Sequence, residues 1–204
     1  EFPRYRSFAQ SFSNTVPFSE DMGFIMNITE EDIDFPFYVT AHEVGHQWWA
    51  HQVTEASVKG NAMLSETMAQ YSALMVMKNN YPETMMQKFL KFEMDRYLRG
   101  RATEQKKEQP LELVESQGYI HYRKGAVVMY ALQDYIGEAQ VNKALQTCIK
   151  DWAYREDQYI TSADLLKYFR AVTPDSLQYI IKDMFETITL YENRATATTY
   201  EKVG

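Results

Sequence analysis

This sequence has a single cysteine, fewer basic than acidic residues and no long apolar run. Cys148 is the single cysteine among 204 residues, so an internal disulfide framework is excluded and the redox compartment is not revealed. The formal net charge of −7 at pH 7 argues against nucleic acid as a partner. No apolar run approaches the length of a membrane span, and no signal peptide is recognisable. A hydrophobic content of 45% is nevertheless ample for the core of one domain, with or without an appendage.

Histidine is also scarce, but three of the four histidines lie within ten residues. Two of them belong to the run His42-Glu43-Val44-Gly45-His46. On a helix, residues four apart lie on one face about 6 Å apart along the axis, so these two imidazoles can bind one metal ion. Glu43 is then the expected general base. The alternative is two surface histidines on an ordinary helix, but the apolar and aromatic flanks favour a buried one.

A candidate third ligand, Glu66, follows His46 by twenty residues. It lies on a predicted amphipathic helix that Asn61 caps, and its apolar neighbours would make an unpaired buried charge costly. Two histidines and a glutamate are a recurring ligand set in catalytic zinc sites, with the fourth position left for water. His51 competes for this role. It points about 140° away from His46 on a continuous helix, so we expect it beside the site or at the surface.

Three segments together resemble a known family. They are His-Glu-Val-Gly-His-Gln-Trp-Trp at 42–49, Leu-Ser-Glu at 64–66 and Tyr-Arg-Lys-Gly at 122–125. They are similar to the H-E-x-x-H-x-W, ligand-glutamate and Tyr-x-Lys-Gly motifs of the aminopeptidase N family of gluzincin metallopeptidases. The resemblance implies a mainly α, thermolysin-like zinc metallopeptidase catalytic domain with a small N-terminal strand region.

The same resemblance implies the roles of five residues. One zinc ion per chain is bound by His42, His46 and Glu66, while Glu43 is the general base and Tyr122 the catalytic tyrosine. The interval between His46 and Glu66 is one residue longer than is usual in the family. A single insertion in the turn between the two helices would absorb the difference. Strict spacing would instead select Ser65, which is chemically a poor zinc ligand.

Tyr122 is one of fifteen tyrosines, most of which must be packing residues. Its neighbours His121, Arg123 and Lys124 set it apart, because nearby positive charge favours the ionised phenolate and predicts a lowered pKa. A phenol near the zinc could donate a hydrogen bond to the developing oxyanion.

Glu20 is the candidate for binding the substrate's amino terminus. The segment Pro17–Ile25 resembles the second half of the family's amine-binding motif, and the alignment places Glu20 on its glutamate. A carboxylate there could hold a free α-ammonium and make the enzyme an exopeptidase. The alternative is an ordinary acidic residue in a loop.

The predicted function is zinc-dependent hydrolysis of peptide bonds that releases N-terminal amino acids from a peptide with a free N-terminus. Two alternatives remain at this point. One is a zinc endopeptidase, if Glu20 does not bind the amine. The other is a non-catalytic zinc-bearing module of a membrane transporter-like protein, against which the intact Glu43 and Tyr122 argue.

Residues 1–187 are predicted to form the catalytic domain, and 188–204 a strand-like tail that leads into a missing domain. The best early strand is 23–28, Pro36 opens the first metal-binding helix, and 100–117 is expected to be an exposed loop. Further helices are predicted at 83–98, 121–135, 138–153, 162–172 and 176–188.

The chain starts without methionine, so we expect it to be a piece of a larger protein. It is similar to a bacterial branch of the family that is fused to permease-like segments. This similarity implies a membrane-anchored parent, although we expect no membrane contact from the piece itself. The piece alone leaves the cellular location unknown.

Overall fold

Helices make up most of the molecule. The computed structural model describes residues 3–4, 9–189 and 195–200. The mainly α prediction is confirmed. The α-helices are α1 (Phe35–Gly45), α2 (Met68–Asn80), α3 (Glu83–Thr103), α4 (Gly125–Ile136), α5 (Glu138–Trp152), α6 (Ser162–Val172) and α7 (Gln178–Ile181). None of the described helices is long and apolar enough to cross a membrane.

Wider π turns interrupt or extend this helical framework. One, Met63–Thr67, leads directly into α2, and another, Tyr119–Lys124, leads into α4. A π turn holds one more residue between hydrogen-bonded groups than an α turn, and such turns are frequent at functional sites. Further π turns cover Asp21–Ile25 and Lys182–Glu186, and short 3₁₀ segments cover Leu111–Leu113 and Asp175–Leu177.

The start of α1 is fixed by a capping carboxylate. The Asp34 side chain accepts a hydrogen bond from the Phe37 amide at 2.9 Å, and Pro36 lies in the first turn as the sequence predicts. The helix then packs against α2 along its length. A Cβ atom at Gly45 would lie 3.2 Å from the Cα of Ala69, so the two backbones approach closely at the end of α1. This contact positions the residues that follow Gly45.

The core consists of two apolar clusters that meet at α2. One lies beneath α4, α5 and α6 and includes Met68 and Phe169. The other lies between α1, α2 and α3 and includes Leu74 and Phe89. Because α2 contributes to both clusters, the helix that directly follows the π turn of Glu66 is held from two sides.

A small N-terminal strand region is present, but not at the predicted residues. Pro3–Arg4 pairs in parallel with Phe18–Ser19. The strand predicted at 23–28 is wrong, because Asp21–Ile25 forms a π turn. The turn directs Met22 into the core, where it is 3% exposed, and leaves Phe24 60% exposed. The apolar run therefore does not mark a buried strand.

The loop and the C-terminal segments also differ from the sequence prediction. Helix α3 continues to Thr103, and in the predicted exposed loop Leu111 and Val114 are fully buried. The predicted helix 176–188 is divided into a 3₁₀ turn, α7 and a π turn. Residues 195–200 are exposed and form no strand, so that prediction is wrong for them. Residues 190 and 191 lie outside the described part, and the domain boundary after 187 stays a prediction.

Gly60 is expected to tolerate no side chain. Its φ is +87°, and a Cβ atom would lie 1.9 Å from the Glu112 carbonyl oxygen and 2.3 Å from Ser162 Oγ. Gly60→Ala should therefore lower the free energy of unfolding by at least about 3 kcal/mol, because backbone strain and a steric clash add together. Denaturant unfolding of the purified chain measures this free energy.

Gly137 provides the matched control. Its φ is +90°, but nothing lies within 4 Å of the added Cβ. Gly137→Ala should cost only the backbone strain of its φ of 90° and ψ of 141°, roughly 1–3 kcal/mol. Equal losses in the two variants would show that close packing at Gly60 adds nothing.

Candidate metal centre

Three side-chain atoms from two helices converge on one point. His42 Nε2 lies 3.1 Å from His46 Nε2, and Glu66 Oε2 lies 3.3 Å from each of them. Zinc bonds of about 2.0–2.1 Å in a tetrahedron place neighbouring ligand atoms about 3.3 Å apart. The spacing of the three donors therefore fits a zinc ion. Within the described residues, these three form the group suited to a metal.

The hydrogen bonds around the donors point to the same fit. His46 Nδ1 lies 3.0 Å from the Trp49 carbonyl oxygen, so Nδ1 carries the proton and Nε2 keeps its lone pair for a metal. Glu66 Oε2 is buried without a hydrogen-bond partner, which is costly unless a cation is bound. Burial alone would raise the pKa of Glu66. The two imidazoles outweigh burial and lower this pKa well below its ordinary value.

The local backbone decides which residue faces the histidines. His42 lies in the last turn of α1, and His46 directly follows its last residue, Gly45. Glu66 lies in the π turn Met63–Thr67, where the extra residue of a wide turn is accommodated. The longer interval after His46 thus still brings Glu66 to the two imidazoles. Ser65 Oγ lies 3.5 Å from the Asn61 carbonyl oxygen instead and is not one of the grouped donors.

Glu43 lies beside the metal group without belonging to it. Its side chain points from α1 into the site and is buried, with 7% of the residue exposed. Burial raises the pKa of Glu43, while His42 and His46 oppose the shift. A carboxylate in this position can exchange a proton with a molecule bound at the metal.

Tyr122 faces the site from the π turn before α4. Its ring centroid lies 5.9 Å from that of His42. The lowered pKa expected from its basic neighbours is wrong, because burial, Glu66 and Glu43 raise the pKa of the phenol. Arg123 opposes this shift only in part, since its guanidinium is paired with the buried Glu93 at 2.9 Å. The phenol therefore keeps its proton and can act as a donor.

The segments that carry Glu66 and Tyr122 cross at Thr67 and Gly125. The Thr67 hydroxyl donates a hydrogen bond to the His121 carbonyl oxygen at 2.6 Å. A Cβ atom at Gly125 would lie 2.5 Å from Thr67 Oγ1, so only glycine allows this approach. The glycine of the Tyr-Arg-Lys-Gly segment is thus required where the two segments touch.

Two cavities adjoin these residues, and Ala9, His42, Glu43 and Tyr122 line both of them. We call the first the metal cavity. It has a volume of about 460 Å³, and its remaining lining residues are Gln10, Ser11, His46, Ala50, His51, Glu55, Ser65 and Glu66. We call the second the arginine cavity. It has a volume of about 300 Å³, and its remaining lining residues are Phe35, Tyr38, Val39, Gln70, Arg96 and Arg123.

The cavities show where the sequence prediction was incomplete. Glu20 is not among the described residues that line either cavity; it is exposed at the start of the π turn Asp21–Ile25. His51 lines the metal cavity outside the ligand group, beside the site. No sequence motif marks Glu55, Arg96 or residues 9–11 as part of the site, because tertiary packing alone brings them to the cavities.

A family comparison matches this arrangement of fold and ligands. The family model described as the peptidase family M1 domain matches residues 22–187. The chain belongs to peptidase family M1. This confirms the resemblance to the aminopeptidase N family on which the ligand assignment was based.

Two curated relatives of this M1 domain are much longer proteins. It is 29% identical over 123 residues to human endoplasmic reticulum aminopeptidase 2, covering 57% of this chain and 13% of the relative. It is 31% identical over 122 residues to aminopeptidase M1-A of Oryza sativa subsp. japonica, covering 57% and 14%. The M1 domain thus spans only a small part of the relatives it matches.

Solved structures support the fold. The M1 zinc metallopeptidase from Deinococcus radiodurans aligns with a TM-score of 0.64 at 19% identity, and its E323A mutant with 0.66 at 20%. Each alignment covers 93% of this chain and 39% of the other. The thermolysin-like fold expected from the motifs is therefore that of zinc metallopeptidases of the same family.

Proposed function

We propose that this M1 domain is the catalytic domain of a zinc aminopeptidase, and that it lies within residues 1–187. The observation that carries the proposal is the convergence of His42, His46 and Glu66, with donor atoms 3.1–3.3 Å apart, next to the buried Glu43. Family membership supports zinc as the metal, and the donor set supports one ion per chain.

The roles of the side chains follow from their positions. A bound zinc ion supplies Lewis-acid polarisation of a carbonyl and a water molecule of lowered pKa. Glu43 accepts the proton of the attacking water and delivers it to the leaving amine. Tyr122 donates a hydrogen bond to the oxyanion as the carbonyl becomes tetrahedral.

A free amino terminus suits the metal cavity. Glu55, which is not one of the three grouped donors, lines this cavity, whereas Arg96 and Arg123 are not among its described lining residues. An α-ammonium group held there would place the first peptide bond of a substrate between Glu43 and Tyr122. Amine binding by Glu20, and membrane anchoring of a bacterial parent, are further proposals supported by motif similarity.

An endopeptidase is the second candidate. The observation in its favour is that Glu20, the residue that the motif assigns to amine binding, is not among the described residues that line these cavities. An endopeptidase would accept an internal peptide bond with no ammonium group nearby.

Blocking the substrate amine separates these functions. We expect the zinc-loaded chain to hydrolyse a peptide with a free amino terminus at least about 100-fold faster than its N-acetylated form, because loss of a charge-assisted contact weakens transition-state binding. Product analysis by mass spectrometry reports the released residue.

Two other outcomes identify the alternatives. Equal rates on the free and acetylated peptides would indicate an endopeptidase. Stoichiometric zinc without hydrolysis of either peptide would indicate a non-catalytic module.

A further inference from the structure

The arginine cavity is a cationic space that adjoins the proposed catalytic residues Glu43 and Tyr122. It shares Ala9, His42, Glu43 and Tyr122 with the metal cavity, so a molecule at the shared wall can extend into both spaces. Arg96 and Arg123 contribute its charge. The proposed mechanism uses neither side chain.

The two arginines differ in how they are held. Arg123 Nη1 lies 2.9 Å and 3.1 Å from the two carboxylate oxygens of Glu93, which is fully buried beneath it. Arg96 is exposed and has no ion-pair partner among the described residues; its guanidinium lies 4.7 Å from the centroid of the Phe92 ring. Burial, Arg123 and Arg99 lower the pKa of Arg96, and the nearby Glu93 carboxylate opposes this shift without reversing it.

Two carboxylates lie close to these guanidinium groups: Glu93, which is paired with Arg123, and Glu43, which lies at the wall shared with the metal cavity. Neither forms an ion pair with Arg96 among the described residues, so this guanidinium remains available to a ligand. Guanidinium groups bind carboxylates through paired, charge-assisted hydrogen bonds. The aromatic side chains of Phe35 and Tyr38 line the same space and can contact the aliphatic part of a ligand.

The two cavities also set the direction of a bound peptide. The metal cavity carries Glu55, which is not one of the three metal donors and attracts the ammonium end of a peptide. A peptide bond placed between Glu43 and Tyr122, with its amine on that side, sends the residue after the bond into the arginine cavity. The opposite direction would bring the ammonium group next to two guanidinium groups.

We propose that the arginine cavity binds a carboxylate on the residue that follows the cleaved bond, so that the enzyme prefers peptides with an acidic second position. The carboxylate comes from an aspartate or glutamate side chain, or from the chain terminus of a dipeptide. This inference rests on the proposed aminopeptidase function. It specifies which peptides that function would favour, namely those with an acidic group on the residue after the cleaved bond.

Matched peptides test the preference. We expect kcat/KM for Ala-Glu-amide to exceed that for the isosteric Ala-Gln-amide by about tenfold, the effect of one charge-assisted hydrogen bond in a partly exposed site. Ala-Gln with a free terminal carboxylate, compared with its amide, separates the terminal from the side-chain source. The ratios should shrink as salt is raised, because partly exposed charges are screened.

Arg96→Gln removes the unpaired guanidinium without exposing the buried Glu93. We expect the Glu-to-Gln ratio of kcat/KM to fall close to one in this variant and to recover in part in Arg96→Lys. Arg99→Gln is the matched control, because Arg99 is an exposed arginine on the same helix that does not line the cavity. It should keep the wild-type ratio.

A binding measurement keeps this test separate from the proposed function. Calorimetric titration of Ala-Glu-amide and Ala-Gln-amide into the zinc-loaded Glu43→Gln variant reports the preference without turnover. Tighter binding of the glutamate peptide, lost on adding Arg96→Gln, supports the inference even if no substrate is hydrolysed. Equal binding and equal kcat/KM for the two peptides would overturn it, although hydrolysis of both would leave the aminopeptidase function standing.

Discussion

Glu43→Gln should leave the zinc content near one ion per chain and lower kcat by about 10²- to 10⁴-fold, the usual contribution of a general base. The glutamine has nearly the same shape and keeps a hydrogen-bonding side chain in the buried space. Glu43 is also not one of the three grouped metal donors. Metal analysis and steady-state kinetics on the same preparation give the result.

Glu31→Gln is the control for the general effect of removing one carboxylate from the protein. Glu31 is exposed and lines neither cavity, so both zinc content and kcat should stay at the wild-type value. If zinc content in Glu43→Gln instead fell in proportion to activity, Glu43 would be a ligand and the assignment of a proton-transfer role would be wrong.

Glu66→Ala should have the second large effect, loss of the metal itself. Residues that only support metal ligands typically change affinity by 10- to 100-fold, so removal of a ligand should weaken zinc binding by more than about 100-fold. Two histidines alone leave zinc short of the three protein ligands of a catalytic site. Competition with a chromophoric chelator measures the affinity of the purified chain.

Ser65→Ala and His51→Ala are the controls for the ligand set. Ser65 is the residue that the family's usual spacing would select, and His51 is the nearby histidine that lines the metal cavity. Both variants should bind zinc as the wild type does. Release of zinc by either of them, with retention by Glu66→Ala, would refute the assignment.

The sequence predicted that His42, His46 and Glu66 lie together, because most of its signal is local. The positions of His42 and His46 depend on the period of one helix, and the capping carboxylate Asp34 and Pro36 fix where that helix begins. The prediction of Glu66 needed a second argument, because Glu66 lies on a later segment, in the π turn before α2. That argument came from its apolar neighbours, among which a carboxylate needs a cation.

The sequence failed where tertiary contacts decide the outcome. The apolar run 23–28 suggested a strand. In the structure, residues 21–25 form a π turn, and Met22 is the side chain of this turn that is buried in the core. The pKa of Tyr122 was predicted from neighbours in sequence. In the structure Arg123 forms an ion pair with Glu93, thirty residues away in sequence, and only partly offsets the rise in the pKa of Tyr122. Arg96 gave no signal at all, because nothing in its helix indicates that it faces a cavity.

The crossing of Thr67 and Gly125 acts as a spacer for the whole site. Thr67 is covalently next to Glu66, and Gly125 lies three residues after Tyr122, so the gap between metal ligand and phenol is set where the Thr67 side chain packs against Gly125. This packing contact fixes the distance between the Glu66 carboxylate and the Tyr122 phenol without help from other side chains. The distance therefore cannot change in small steps. A larger residue at 125 would move the phenol away from the ligand in one step, by roughly the width of the inserted group.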